Sequence, residues 1–383
     1  MANINDYLLW RGDLPINSKY KFNEIDSMIL ARFSYLRFDK IKLDSTETIK
    51  SIAEKMSVLK DTDFRYNGDK ELITNLGNSV RFKNMVVTNY ENHDNSEFVK
   101  QFAAITIHIS NNELYVSFLG TDSTLLGWQE DFNMTFLSNV PCQVQGLEYL
   151  NNIAERYPSK RIRIGGHSKG GNVAIYASLR ASKEIQDRII KVYNYDGPGL
   201  KNDILNKYAK KEILRKMQTY IPQDSVIGRL LIHKEKCTIV FSTENGIYQH
   251  DIFSWQVLKD NIIKTKENTR KSEEIHKTVV DWLENTTNEQ RKIFVCTVFE
   301  LFYSTEAKSF GEISKSLTTS LPKILKKYGE LEKEDKEVLI SMIKLFAKSY
   351  WSVFKQRESL KLENYKLEGK DKIKKRAERF LAN

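Results

Sequence analysis

A serine surrounded by glycines, Ser168, is the residue whose setting most clearly suggests chemistry. It lies in the segment GHSKGG, residues 166–171, which fits the spacing G-x-S-x-G. This spacing is typical of a nucleophile elbow, a sharp turn from a strand into a helix that exposes the serine hydroxyl. Glycine is needed at such a turn because a larger side chain would collide with closely packed neighbours. We therefore expect Ser168 to be a catalytic nucleophile.

A histidine that accepts the serine proton should follow this elbow in the chain. A serine hydroxyl is a weak nucleophile without such a base, and an acid must orient the base. The usual order after an elbow is serine, acid, histidine. His250 fits this order, because it lies in a loop after the predicted strand 237–242. His233 precedes that strand, and His167 is next to the serine but is expected to point away from its hydroxyl. We therefore predict that His250 is the base.

Two aspartates are candidates for the acid, and each lies just past a predicted strand. Asp224 follows the second strand after the nucleophile, which is where this acid usually lies, whereas Asp196 follows the first. Aspartate is also common at such positions as a helix cap or a turn residue. We favour Asp224 as the acid and keep Asp196 as the alternative.

Attack on a carbonyl creates an oxyanion, which backbone N–H groups must stabilise. One donor should be the N–H of Lys169, directly after the nucleophile. The second should come from an earlier loop that follows a strand, and Thr121 lies in such a loop after Gly120. We predict that Thr121 and Lys169 form the oxyanion hole.

Alternating strands and helices are predicted around these residues. Short helices are expected at 23–38, 45–58 and 69–76, followed by strands at 85–90, 102–109 and 114–119. The pattern then alternates: helix 143–157, strand 161–165, helix 169–182, strand 189–195, helix 202–216, strand 217–221 and strand 237–242. This order predicts an α/β fold with a mostly parallel sheet covered by helices on both faces.

Composition and charge divide the 383 residues into regions. Glycine is frequent before residue 261 and rare after it, and most of the net charge of +10 lies in residues 261–383. We predict an N-terminal helical segment (1–80), a core (81–262) and a C-terminal helical domain (263–383), with a capping box at Thr287 and Gln290 and a long apolar stripe over 338–354. The basic cluster at 372–376 is expected to be a solvated helix surface, with attraction to anionic lipid or nucleic acid as the alternative. No sequence signature supports nucleic-acid binding.

The sequence predicts a globular protein without a metal or a cofactor. Hydrophobic residues make up 40% of the chain and charged residues 29%. The first residues lack the pattern of a signal peptide, and no apolar run is long enough to span a membrane, so we expect a cytoplasmic protein. Cys142, Cys237 and Cys296 are widely separated, odd in number and include no C-x-x-C pair, so neither a zinc site nor a disulfide framework is indicated. The six histidines form no metal-binding motif.

Five short motifs resemble, in the same order, those of the class 3 (fungal-type) lipases and a related set of bacterial proteins of unassigned function. They are FLGT (118–121), WQED (128–131), GHSKGG (166–171), YDGP (195–198) and DSV (224–226). The resemblance spans about residues 80–255 and implies an α/β-hydrolase core that cleaves carboxylic esters, often of lipids, without a cofactor. Carried over by position, it implies that Ser168 is the nucleophile, Asp224 the acid and His250 the base, with Thr121 and Lys169 as the oxyanion hole.

Three features depart from the lipase pattern. Leu119 replaces an arginine that is common before the Gly-Thr pair, Lys169 replaces an apolar residue, and residues 261–383 have no counterpart in the simple lipases. A cation at position 169 would either favour an anionic acyl substrate or point to solvent. The sequence does not identify a lid, and it leaves both residues 122–142 and the C-terminal helices open as a cover for the site.

The sequence therefore predicts a serine hydrolase, similar to lipases and esterases, that acts on a small-molecule or lipid ester. The rival hypothesis is a non-catalytic protein with the hydrolase fold. Such a protein would bind an acidic partner or an anionic membrane surface through its basic C-terminal helices.

Overall fold

Eight strands form the central sheet of the computed structural model, which describes residues 2–122 and 124–355. Neighbouring strands follow chain order; β1 to β4 are antiparallel, and β4 to β8 run parallel to one another. The strands are β1 (Thr46–Thr48), β2 (Val86–Asn95), β3 (Lys100–His108), β4 (Glu113–Phe118), β5 (Arg161–His167), β6 (Ile189–Tyr195), β7 (Met217–Pro222) and β8 (Lys236–Val240). A separate hairpin pairs β9 (Val257–Leu258) with β10 (Asn261–Ile262).

Helices cover both faces of this sheet. The described helices are α1 (Ile4–Arg11), α2 (Glu24–Phe33), α3 (Ile49–Met56), α4 (Asp69–Asn78), α5 (Leu125–Asn133), α6 (Pro141–Arg156), α7 (Lys169–Arg180), α8 (Lys183–Arg188), α9 (Asn202–Tyr208), α10 (Lys211–Leu214), α11 (Arg270–Glu284), α12 (Asn288–Tyr303), α13 (Phe310–Lys315), α14 (Leu317–Glu330) and a helix over 333–355. Helices α1 to α4 share one apolar core with the sheet, and α6 and α7 share another. The sheet is thus the middle layer of an α/β-hydrolase fold.

The N-terminal helices are tied together by buried charges. Arg32 of α2 pairs with Asp69 of α4 at 2.6 Å, and both side chains are fully buried. Asp26 of α2 pairs with Arg81 at 2.5 Å, also away from solvent. Losing one partner would leave an uncompensated buried charge, so these pairs fix α2 to α4 and to the segment that follows α4.

The C-terminal helices pack on the core beside the loops that follow the strands. The N–H of Leu125 in α5 donates to the carbonyl of Lys308 at 2.8 Å, and the N–H of Thr269 donates to the carbonyl of Gln223 at 2.7 Å. The predicted capping box is confirmed at the start of α12, where Thr287 and Gln290 cap each other's backbone. The basic cluster at 372–376 lies outside the described residues.

Most predicted elements are present, with three differences. Residues 46–48, at the start of the predicted helix 45–58, form strand β1. Helix α5 forms within the stretch 122–142, for which no helix was predicted; Thr124 caps it, with its hydroxyl accepting from the Gly127 N–H at 3.2 Å. The predicted helix 202–216 is two short helices, α9 and α10. Among the described residues, none of the helices has the length and apolar character needed to cross a membrane.

Candidate active site

The turn that carries Ser168 joins β5 to α7 and is strained. Ser168 has φ 57° and ψ −133°, a conformation that costs energy for a residue with a side chain. The neighbouring glycines leave no room for side chains: a Cβ on Gly170 would lie 2.1 Å from the Phe118 carbonyl oxygen, and one on Gly171 would lie 2.0 Å from Asn194 Oδ1. The glycines around Ser168 are therefore explained by the close packing of the elbow.

Strand register brings the candidate residues to one edge of the sheet. Phe118 at the end of β4 pairs with Gly166 in β5, which in turn pairs with Asn194 in β6. Since β4, β5 and β6 are parallel neighbours, the loops after them meet at the same edge. The Ser168 N–H donates to the carbonyl of Tyr195 at 2.9 Å, which fixes the nucleophile directly beside the end of β6.

His250 is paired with Asp196, the residue that follows β6. The distance from His250 Nδ1 to Asp196 Oδ2 is 2.6 Å, and Asp196 is almost fully buried. The other carboxylate oxygen of Asp196 accepts from the Ser225 hydroxyl at 2.5 Å and from the Gly228 N–H at 3.2 Å. These contacts fix the carboxylate, so it can orient the imidazole and hold its Nδ1 proton.

Asp224 does not contact the imidazole, which corrects our expectation that it would. Its carboxylate accepts from the Gly246 N–H at 2.9 Å and from the Thr269 hydroxyl, and its own N–H donates to Gln249 Oε1 at 2.8 Å. Asp224 therefore fastens the loop that carries His250 to the start of α11.

His167, which directly precedes Ser168 in the chain, holds the backbone and the ring of His250 in place. The two rings are 4.5 Å apart, and His167 Nε2 donates to the His250 carbonyl oxygen at 2.7 Å. Burial lowers the pKa of His167 well below its ordinary value, so its ring is neutral. On the other side, His167 Nδ1 lies 3.0 Å from the Tyr35 hydroxyl. The sequence indicated that this ring does not serve the serine, but it contained no sign of the supporting contact.

The candidate oxyanion loop lies against the nucleophile. A Cβ on Gly120 would be 2.4 Å from the His167 carbonyl oxygen and 3.0 Å from Ser168 Cβ. The next residue, Thr121, donates its hydroxyl to Asp131 Oδ2 at 2.5 Å. Burial raises the pKa of Asp131 to about 6, and its Oδ1 has no hydrogen-bond partner among the described residues.

The Lys169 side chain is buried in an ion pair, which corrects both expectations for this cation. Its Nζ lies 2.9 Å from Glu130 Oε2 and 3.4 Å from Gln101 Oε1, and neither charged side chain reaches solvent. Burial would lower the pKa of Lys169, but the carboxylates of Glu130 and Asp131 raise it above its ordinary value. The ammonium is thus charged and already paired, and its role is to link α7 to α5.

The Ser168 hydroxyl makes no hydrogen bond to any residue within 2–122 and 124–355. A cavity of about 510 Å³ opens beside it, and Asp131 and Lys169 also line this cavity. Catalytic hydrogen bonds are often unformed without substrate. The serine thus faces a space large enough for a ligand.

One group of side chains away from Ser168 has the composition of a metal site. Donor atoms of His233, Glu235 and Cys237 lie within 4.8 Å of one another. However, His233 Nδ1 lies 2.7 Å from Glu235, and its Nε2 lies 2.9 Å from the Gly228 carbonyl. Both ring nitrogens are therefore engaged within the protein, and the histidine has no free lone pair for a metal.

Fold and elbow together define the class of the protein: it has an α/β-hydrolase fold, with a serine at the turn after β5. The chain belongs to the Mbeg1-like family, whose model matches residues 76–300. A comparison with curated protein sequences gives no match.

Several solved structures of lipases are similar to this chain. A mutant of MDLA from Penicillium cyclopium is 11% identical with a TM-score of 0.38, and the match covers 64% of this chain and 86% of that one. The Rhizomucor miehei lipase propeptide complex is 11% identical with a TM-score of 0.34, and the match covers 64% of this chain and 82% of that one. Lip2 lipase from Yarrowia lipolytica is 13% identical with a TM-score of 0.31, and the match covers 58% of this chain and 86% of that one. At such identities the site must be judged from the residues of this chain.

Proposed function

We propose that this protein is a serine hydrolase that cleaves a carboxylic ester, with Ser168 as nucleophile, His250 as base and Asp196 as acid. The observation that carries the proposal is the pairing of His250 Nδ1 with the buried Asp196 carboxylate at 2.6 Å, beside a serine at a strained elbow. An isolated surface histidine would have no need of a buried carboxylate held by two further donors.

In the proposed reaction, His250 takes the Ser168 proton through Nε2 while Asp196 holds the Nδ1 proton. The Ser168 oxygen attacks the ester carbonyl carbon, and the carbonyl electron pair moves onto its oxygen. When the carbonyl reforms, the bond to the leaving alcohol breaks, and His250 returns the proton to that alcohol. Water then repeats these steps on the acyl-enzyme, which releases the acid and restores Ser168. These reaction steps need no metal or cofactor.

The negative charge on the carbonyl oxygen would be stabilised by the N–H groups of Thr121 and Lys169. Two contacts support this assignment. The Thr121 hydroxyl is held by Asp131, and the Lys169 side chain is anchored by Glu130. Both fix backbone next to Ser168, so the donors are held in place before charge develops.

Labelling with a small fluorophosphonate probe tests the proposal, because the probe reacts with activated serines. We expect the wild type to label, Ser168→Ala to lose labelling and His250→Ala to label at least about 100-fold more slowly. Ser57→Ala, which removes a serine at the end of α3, is the matched control and should label like the wild type. If the folded wild type stayed unlabelled both with and without detergent or vesicles, the proposal would be refuted and the non-catalytic alternative supported.

We also propose that α14 contacts an anionic membrane surface. Leu317, Leu321 and Leu325 recur every four residues and are 56%, 47% and 60% exposed, and lysines lie on the same helix. Such a face suits the boundary between headgroups and acyl chains. Sedimentation with anionic vesicles should capture the wild type in low salt but not Leu321→Asp. Leu9→Asp, at another exposed leucine, should bind like the wild type. Equal binding by all three proteins would contradict this contact.

A further inference from the structure

The cavity beside Ser168 lies between the core and the C-terminal helices. The core contributes the polar side chains of Ser168, Asp131 and Lys169, which lie around the elbow, and also apolar side chains such as Phe132 and Leu230. The C-terminal helices contribute mostly apolar side chains, among them Trp282, Leu283, Phe294, Met342, Ile343 and Phe346. A carbonyl bound at Ser168 would thus have its polar contacts on the core, and any chain attached to it would meet an apolar wall.

Contacts among three helices build this wall as one unit. The indole N–H of Trp282 in α11 donates to the Met342 carbonyl of helix 333–355 at 3.1 Å. The ring of Trp282 also lies 5.7 Å from that of Phe294 in α12 and 6.1 Å from that of Phe346, edge to face in both cases. Because these aromatic rings brace one another, the boundary of the cavity is set by particular side chains.

We infer that this cavity holds the acyl chain of the ester and that its C-terminal wall sets the length of chain accepted. The inference rests on the serine hydrolase function proposed above and adds the substrate class: esters of linear apolar acids. Polar or charged acyl groups would lose their water without gaining partners on this wall. Each methylene buried there should raise kcat/KM by up to about fourfold until the cavity is full.

A second apolar cavity adjoins the first. It measures about 270 Å³ and is lined by α12 residues together with Phe132 and Phe310. Phe132 and Phe294 line both cavities, so their side chains form the partition between them. Removing the Phe294 ring should join the two spaces and move the preferred chain to a greater length.

The test is the ratio of kcat/KM for p-nitrophenyl decanoate to that for p-nitrophenyl acetate. Ile343→Trp should lower this ratio about 15-fold, the loss expected if roughly two methylenes are no longer buried. The matched control is Ile340→Trp, on the same helix but not lining the cavity, which should keep the wild-type ratio. Phe294→Ala should instead raise the ratio for hexadecanoate over decanoate. Ile343 is 55% exposed and Ile340 40%, so both tryptophan variants should fold.

Failure of this inference can be told apart from failure of the hydrolase proposal. If wild-type Ser168 labels with fluorophosphonate but Ile343→Trp keeps the wild-type ratio, the wall does not select the chain, while the hydrolase function stands. If the wild type does not label, binding of cis-parinaric acid, a fluorescent fatty acid, to Ser168→Ala still tests the cavity. Adding Ile343→Trp should then weaken binding at least about tenfold; unchanged or absent binding would overturn the inference.

Discussion

Replacing Asp196 with asparagine is the sharpest test of the proposed triad. Asparagine keeps the size of the side chain but removes the charge and can place an N–H group 2.6 Å from His250 Nδ1. Two donors would then face each other unless the imidazole moved its proton to Nε2, the nitrogen that must accept the proton of Ser168. In serine proteases this wrong tautomer costs about 10⁴-fold in kcat, and we expect a loss of similar size here.

Asp224→Asn is the matched control because it removes a charge from the other candidate acid. It weakens two hydrogen bonds, from the Gly246 N–H and the Thr269 hydroxyl, that fasten the loop of His250. We expect the free energy of unfolding to fall by about 1–3 kcal/mol and kcat to stay within about tenfold of the wild type. Rates of fluorophosphonate labelling and of ester hydrolysis, with urea unfolding of each variant, give these values.

This reasoning would be refuted if the effects of the two substitutions on the rate were exchanged. If Asp196→Asn kept at least a tenth of the wild-type rate while a folded Asp224→Asn lost about 10⁴-fold, Asp224 would be the acid. The contact between His250 and Asp196 would then be a resting arrangement that is replaced during the reaction.

Three further predictions concern the surroundings of the site. Lys169→Met should destabilise the fold by about 3–5 kcal/mol in urea unfolding by leaving Glu130 charged and buried, and adding Glu130→Gln should restore most of this loss; no recovery would show that packing dominates. Because the pKa of Asp131 is about 6 when folded against an ordinary 3.8, the folded chain holds a proton that the unfolded chain releases. Stability should therefore fall by about 3 kcal/mol as pH rises from about 4 to 6, and Asp131→Asn should remove that slope. Gly170→Ala should destabilise by about 1–3 kcal/mol through its clash with backbone, whereas Gly329→Ala, in an open helical position, should stabilise by about 0.5–1 kcal/mol; changes of equal sign would contradict the packing argument.

Local pattern was enough to predict most of the sheet. Strand β6 occupies residues 189–195 as predicted, and the other strand predictions overlap the observed strands. A buried strand is a continuous apolar run, and a helix has apolar residues that recur about every 3.6 positions. Both patterns can be recognised in the sequence. Helix α5 was not predicted because its apolar residues do not form a continuous stripe. Its position depends instead on packing against α12.

Pairings between distant residues could not be predicted in the same way. Lys169 and Glu130 are 39 residues apart, and neither has a neighbour that identifies its partner. Lysine at position 169 was recognised as unusual, but the sequence could not say that a buried carboxylate would meet it. The same holds for the cavity wall, where the packing of two helices, and no motif, brings Trp282 and Met342 together.

The position of the acid shows how strand order and local backbone can disagree with a motif. Asp196 follows β6, the direct neighbour of β5, whereas Asp224 follows β7, one strand further from Ser168. Adjacent strands lie about 4.8 Å apart, so the end of β7 is one strand spacing further from the elbow than the end of β6. Asp196 contacts the imidazole from a backbone with φ 52°, a conformation that aspartate tolerates better than most residues. The pair Asp196-Gly197 before a proline was the available signal, because it marks a tight turn directly beside the elbow. Asp224 occupies the position expected for the acid, but its carboxylate holds the loop of His250, and the proposed catalytic contact belongs to Asp196.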